Sequence, residues 1–256
     1  HLVGDLAALE KRFPQKNPEG GKPYEVRNGV AVLPISGVLA KNDNIFMRFF
    51  GGTATERAKH DLNGAAADAS VKAILLHIDS PGGTVDGTQA LAAAVRLAAA
   101  KKPVIAFADG MMASAAYWIG SAASEIVASS DTTQIGSIGV VAAHRDISGL
   151  EARAGIKTTE ITAGKYKRIA SSYAPLTEEG SAEIQSQVDA LYSIFVHDVA
   201  SNRNTTPQKV LSDMADGRVF LARQALDAGL IDRIDSLDAT LARIQAGGNA
   251  SVKPRR

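Results

Sequence analysis

At 256 residues and 45% hydrophobic content, the chain is long enough to bury a sizeable core, as one large domain or two small ones. Lys and Arg number 28 against 27 Asp and Glu, a formal net charge of +1. Nothing sequence-wide therefore favours nucleic acid or a membrane surface, and no nucleic-acid partner is expected. The absence of cysteine excludes disulfides, thiolate metal sites and a cysteine nucleophile.

Residues 1–28 are polar, with Pro and Gly breakers in FPQKNPEGGKPYE, and read as a lead-in rather than core. HLVGDLAALEKRF at the N-terminus has neither a positive start nor a long apolar centre, so it is not read as a signal peptide, and a start without Met suggests trimming. GVAVLPISGVL (29–39) is a β-branched run ending near Gly and predicts a strand. Residues 54–69 show helical spacing. VKAILLHIDSPGG (71–83) is a continuous apolar run stopped by Pro-Gly-Gly, the pattern of a buried parallel strand. A helix is predicted over 86–100 and a strand over KPVIAFADG (102–110).

DGMMASAAYWIGSAA (109–123) reads as the start of a buried helix. Gly110–Ser124 is the longest uncharged apolar stretch, but it is shorter than the roughly 20 residues a spanning helix needs. SEIVASSD (124–131) predicts a short strand, and residues 133–155 a turn, a strand and a helix. IKTTEITAGKYKR (156–168) predicts a further strand and then a basic loop. Residues 177–203 predict a long amphipathic helix with Thr177 as N-cap and acids in its first turn. GRVFLARQALDAGLIDRIDSLDATLARI (217–244) predicts a strand, a helix ended by Gly229, a strand and a helix. The tail QAGGNASVKPRR has the composition of disorder. Strands alternating with helices at this rhythm predict an α/β domain with a mostly parallel sheet covered by helices. The expected boundaries are 1–25 for the lead-in, 26–245 for the domain and 246–256 for the tail.

Two strand-to-helix turns carry candidate chemistry. In DSPGG (Asp79–Gly83) the glycines fit a plain tight turn, a pair of N–H donors for an oxyanion, or a phosphate cradle. The spacing matches neither the Walker pattern nor the dinucleotide fingerprint. Ser114 is read either as a packing residue or N-cap among alanines, or as a nucleophile at the positive end of a helix dipole.

A serine hydroxyl needs a base. Among His1, His60, His77, His144 and His197, none lies in a loop with an orienting carboxylate at a recognised spacing, and His144 with Asp146, after GSIGVV, comes nearest. A desolvated lysine is the other option, and Lys165 and Lys167 stand in TAGKYKRIASSYAPLT with Tyr166, Ile169 and Tyr173 able to shield one of them. No metal-ligand set or cofactor motif is found, so no metal and no cofactor is expected.

NGVAVLPISGVL, IDSPGG, MMASAAYWIGSAA, TQIGSIGVV, ITAGKYKRIASSYAPLTEE and GRVFLARQALDAGLIDRID stand in an order and spacing that resemble the signal peptide peptidase A family of serine proteases, which includes the head proteases of tailed phages. The resemblance covers about residues 26–235. It implies the Clp-protease/crotonase fold, built of repeated ββα units, and a Ser/Lys dyad without histidine. By position it implies Ser114 as nucleophile, Lys167 as general base, and the Gly83 and Ala115 N–H groups as oxyanion hole. Ser137 in GSIGV is implied as a lysine-orienting residue.

The sequence has SAAYW where bacterial members show SGGYY, and it shows no membrane anchor. Both features look closer to the phage enzymes, with capsid or scaffold proteins as substrates and a place in the host cytoplasm or the prohead. An anchor trimmed upstream would instead imply membrane association. The resemblance further implies a peptide or unfolded-protein substrate and a ring homo-oligomer in which a neighbour supplies Lys167. The Ala-rich surroundings of MMASAA suggest a shallow pocket for small side chains. Two alternatives of the same fold are a crotonase-type acyl-CoA enzyme, although Asp109 and Glu125 flank rather than occupy the motif, and an inactive scaffold module.

Overall fold

The computed structural model describes residues 24–43, 47 and 51–247. The outer parts of the lead-in and tail, with His1, lie outside these residues. In chain order the strands are β1 (Glu25–Arg27), β2 (Val30–Ala40), β3 (Gly52–Ala54), β4 (Ala73–Gly83), β5 (Val104–Ala113), β6 (Glu125–Ala128), β7 (Gln134–Gly136), β8 (Val219–Leu221) and β9 (Arg233–Ile234). The helices are α1 (Thr55–Ala67), α2 (Thr88–Ala99), α3 (Ala115–Ser121), α4 (Ser148–Arg153), α5 (Glu178–Asn202), α6 (Pro207–Asp213), α7 (Ala222–Ala228) and α8 (Leu237–Gln245).

The spine of the sheet runs β1-β2-β4-β5-β6-β9, with β3 beside β2, and β7 between β5 and β8. Every pairing is parallel except β1 with β2 and β7 with β8. The two faces follow from strand alternation. Ile74, Leu76 and Ile78 of β4 join Leu62, Val95, Tyr117 and Val199 from α1, α2, α3 and α5 in the main core. Leu75 faces the other way, with Ile105, Phe107 and Val127 under Leu241 of α8. These strands are apolar on both faces because both faces are covered.

The β5 strand changes neighbours along its length. Its first half pairs with β6 through Ile105–Ala108, and its last residues, Met111–Ala113, pair with β7. The switch falls at Asp109–Gly110, where Gly110 takes a φ of +93°. The stretch expected to begin a helix at 109 is therefore strand as far as Ala113, because β7 offers a ladder partner to that point.

Two other expectations differ from the structure. Glu25–Arg27 adds an edge strand within the stretch read as lead-in, anchored where the Tyr24 hydroxyl donates to Asp68 (3.3 Å). Residues 156–163 carry β-branched residues but form no strand. No strand among the described residues accepts them, and Ile156 and Ile161 stand 58% and 96% exposed. A strand without a ladder partner has no backbone hydrogen bonds to hold it.

Candidate active site

Ser114 sits between the end of β5 and the first residue of α3 with φ 52° and ψ −124°. A non-glycine residue in that region stores roughly 1–3 kcal/mol of strain and needs its surroundings to impose it. Both of its backbone groups are held: its N–H donates to Gly136 O (2.8 Å), and its carbonyl accepts the Trp118 N–H (3.0 Å). Ala113 and Ala115 on either side are buried, whereas Ser114 is half-exposed. Its hydroxyl caps no helix N–H. The elbow thus presents one oxygen from an otherwise apolar turn.

The DSPGG turn packs directly on this elbow. Gly82 has φ +100°, and a Cβ placed there would stand 2.7 Å from Ser114 Cβ and 2.9 Å from both Ala113 O and Ala115 N. Only a glycine lets the two turns approach so closely. The Gly82 N–H is taken by Ser80 Oγ (3.1 Å), and that hydroxyl donates to Gly37 O (2.6 Å). The Thr84 N–H donates to Leu39 O (2.9 Å) on β2. Gly83, next in the chain after Gly82, is paired with Leu39 of β2. Ala115 opens α3, where N–H groups lack intrahelical acceptors. Of the expected oxyanion donors, Ala115 thus directly follows Ser114, and Gly83 directly follows the glycine packed on it.

Ser137 is also brought to the elbow. It follows Gly136, which pairs with Ala113, and it too has a positive φ, of 50°. Its N–H donates to Arg218 O (2.8 Å). Lys167 is not joined to this group. It lies exposed in the turn after Gly164, to whose carbonyl its N–H donates (3.1 Å), and among the described residues no hydrogen bond links it to Ser114 or Ser137.

The rival bases are engaged elsewhere. Lys165 Nζ pairs with Glu179 Oε1 (2.5 Å) and lies over the Tyr166 ring (4.9 Å). The Glu179 carboxylate, with a smaller contribution from Tyr166, holds the Lys165 amine above the usual lysine range, the opposite of what a general base requires. His144 Nε2 lies 2.8 Å from Ser171 O. His77 Nε2 lies 2.9 Å from Asp109 Oδ2, with its ring stacked on Phe107 (5.9 Å). His60 and His197 are exposed. Among the described residues no group of three His, Cys, Asp or Glu side chains is placed to hold a metal ion.

The profile of peptidase family S49 matches residues 96–251, more than half of the chain. The chain belongs to peptidase family S49. Within reach of that family's sequences, it is 32% identical over 253 residues to the capsid assembly protease C of Escherichia phage lambda, covering 94% of this chain and 57% of that protein. It is 28% identical over 230 residues to the chloroplastic serine protease SPPA of Arabidopsis thaliana, covering 90% and 34%. The chain spans about half the length of the curated relatives it matches. Among solved structures, a mutant of a membrane-bound stomatin-specific protease superposes with TM-score 0.55 at 15% identity, covering 86% of each chain, which speaks for the shared fold. The S49 profile begins inside α2 and so takes in the Ser114 elbow, Ser137, the Lys167 turn and α5. Among the described residues no helix is long and apolar enough to cross a membrane.

The tie between α3 and α5 has no signal in the sequence. Trp118 Nε1 donates to Asp198 Oδ2 (2.9 Å) from 80 positions away, and spacing alone pairs neither residue with the other.

Proposed function

We propose that residues 26–245 of this S49 chain form a serine endopeptidase domain with Ser114 as nucleophile and Lys167, donated by a neighbouring copy, as general base. The observation that carries the reading is the Ser114 elbow: a half-exposed hydroxyl held at φ 52° and packed on the Gly82 turn. In the reaction, neutral Lys167 takes the Ser114 proton and the oxygen attacks a peptide carbonyl. The Gly83 and Ala115 N–H groups receive the developing oxyanion. The protonated lysine returns its proton to the leaving amine, and water then hydrolyses the acyl-enzyme. Removal of one oxyanion donor in such a site costs about 10²–10³ in rate. Ser137, beside the nucleophile, orients the incoming lysine amine.

The in-trans assignment is supported by the state of the Lys167 segment. A lysine serves as base only where its amine is desolvated, and Lys167 is exposed in the single protomer. Ile161, six residues before Lys167, stands 96% exposed, apolar surface that a contact with another chain would cover. A ring of copies buries these residues and brings each lysine to a neighbour's serine. The substrate class is unfolded polypeptide. The role of the lambda relative in capsid assembly, given by its name, favours phage head proteins as substrates and the prohead or host cytoplasm as the place of action, ahead of signal-peptide cleavage.

The test is incubation with denatured casein, with Ser114→Ala as control and mass-spectrometric mapping of the cut sites. Cleavage by the wild type alone is expected, together with an acyl adduct on Ser114 after fluorophosphonate treatment. Equal cleavage by Ser114→Ala would refute the assigned nucleophile.

A further inference from the structure

α3 has only seven residues and no side-chain cap at its N-terminus. A helix that short is not stable by itself, so tertiary contacts must set its direction. That direction also aims Ser114, whose carbonyl accepts the Trp118 N–H. Trp118 is the sole tryptophan of the sequence and is 2% exposed. Its ring stacks on Phe195 of α5 at 4.4 Å between centroids and 7° between planes. Its indole N–H donates to Asp198 Oδ2 (2.9 Å), and the same oxygen accepts Gln89 Nε2 (3.2 Å) from α2. One turn further along α5, Asn202 Nδ2 donates to Ser121 Oγ (3.0 Å), which closes back on Trp118 O (2.7 Å). Phe195, Asp198 and Asn202 recur at helical spacing on one side of α5. Three residues of the long helix thus hold the middle and the C-terminal end of the short one.

From this we infer that Asp198 is a positioning residue: through the Trp118 indole it fixes α3, and with it the Ser114 hydroxyl, at the attack geometry. An ionised acceptor suits the task because a charge-assisted hydrogen bond is shorter and stronger than a neutral one, while Gln89 aims the carboxylate from the other side. The inference rests on the reading of Ser114 as nucleophile. A misplacement of about 1 Å costs on the order of 10² in rate, so release of α3 lowers kcat while substrate binding by the rest of the site keeps KM.

The experiment compares Asp198→Ala, Asp198→Asn and Trp118→Phe in the assembled protein, with kcat and KM measured on fluorescently labelled denatured casein. Trp118→Phe keeps an aromatic ring against Phe195 and removes only the N–H donor, so it reads the proposed bond even where Asp198→Ala fails to fold. Asp198→Ala and Trp118→Phe are expected to lose about 10- to 100-fold in kcat at unchanged KM. Asp198→Asn retains an acceptor oxygen and most of the rate, and the double variant Asp198→Ala/Trp118→Phe is no slower than either single. The Trp118 emission maximum shifts in Asp198→Ala and not in Asp198→Asn. Full kcat in Trp118→Phe and Asp198→Ala, with Ser114→Ala inactive, overturns the positioning role alone. Wild-type cleavage by Ser114→Ala overturns both the nucleophile and the positioning role.

Discussion

Replacing Gly82 with alanine adds a single methyl group at the most crowded contact of the site. The new Cβ would stand 2.7 Å from Ser114 Cβ and 2.9 Å from Ala113 O and Ala115 N. Carbon atoms in van der Waals contact sit about 3.5–4.0 Å apart, so the two turns must separate by about 1 Å. None of the three opposing atoms is the far end of a flexible side chain; all belong to the elbow backbone or are fixed to it. The residue must also keep φ +100°, which adds about 1–3 kcal/mol of strain for a non-glycine residue. A shift of about 1 Å at a nucleophile and its adjacent oxyanion donor lowers the rate by on the order of 10². Gly82→Ala is therefore expected to fold with a lowered denaturation midpoint and to lose about 100-fold in kcat on denatured casein. Gly83→Ala, whose methyl group would overlap the Leu39 carbonyl, is expected to disrupt the β2–β4 pairing and to accumulate poorly. A Gly82→Ala protein with wild-type kcat and midpoint would refute the packing of these turns as the origin of the site's geometry.

Other outcomes follow from the same structure. Lys165→Ala removes a lysine already committed to Glu179 and is expected to retain most of the activity, whereas Lys167→Ala loses about 10²–10⁴ in kcat on the same substrate, the range of general-base contributions. Burial holds the Tyr117 phenol far above its usual range, while in the unfolded chain it titrates near 10. Below pH 10 both states keep the proton; above it the unfolded chain releases the proton first, so stability is lost as pH rises. Urea titrations at pH 8 and pH 11 should show the wild type losing up to about 1.4 kcal/mol per pH unit above pH 10 beyond the loss in Tyr117→Phe. Asp232→Ala strips the mostly buried Arg203 of its partner, since Asp232 holds Arg203 through bonds of 2.8 and 3.0 Å and also accepts the Ile126 N–H. It is expected to cost about 3–5 kcal/mol in urea unfolding, and a loss below about 1 kcal/mol would show that solvent replaces the carboxylate.

The strands over 29–39 and 71–83 were legible because each is a long apolar run with its own terminators, and buried parallel strands leave little other trace. Thr177 was legible as a cap, and its hydroxyl does accept the Gly180 N–H (3.0 Å). The end of β5 was not legible. The same small apolar residues suit strand or helix, and β7, which draws Met111–Ala113 into a ladder, comes later in the chain. The strand expected within 156–168 shows the converse: β-branched residues state a preference, but a ladder needs a second strand, and no strand among the described residues supplies one. Ser114 and the glycine turn could be singled out because each lies at the end of a strand. Spacing alone could not separate Lys165 from Lys167; the family resemblance favoured Lys167, and in the structure α5 brings Glu179 to Lys165.

The central claim is that one active site draws Ser114 from one copy and Lys167 from another. Inactive Ser114→Ala and Lys167→Ala chains, each verified as folded, are mixed under conditions that exchange subunits, and cleavage of denatured casein is followed as the ratio varies. Recovery of activity that peaks near equal proportions is the expected result. Mixed assemblies, confirmed by differently tagged chains, that remain inactive at every ratio would contradict it.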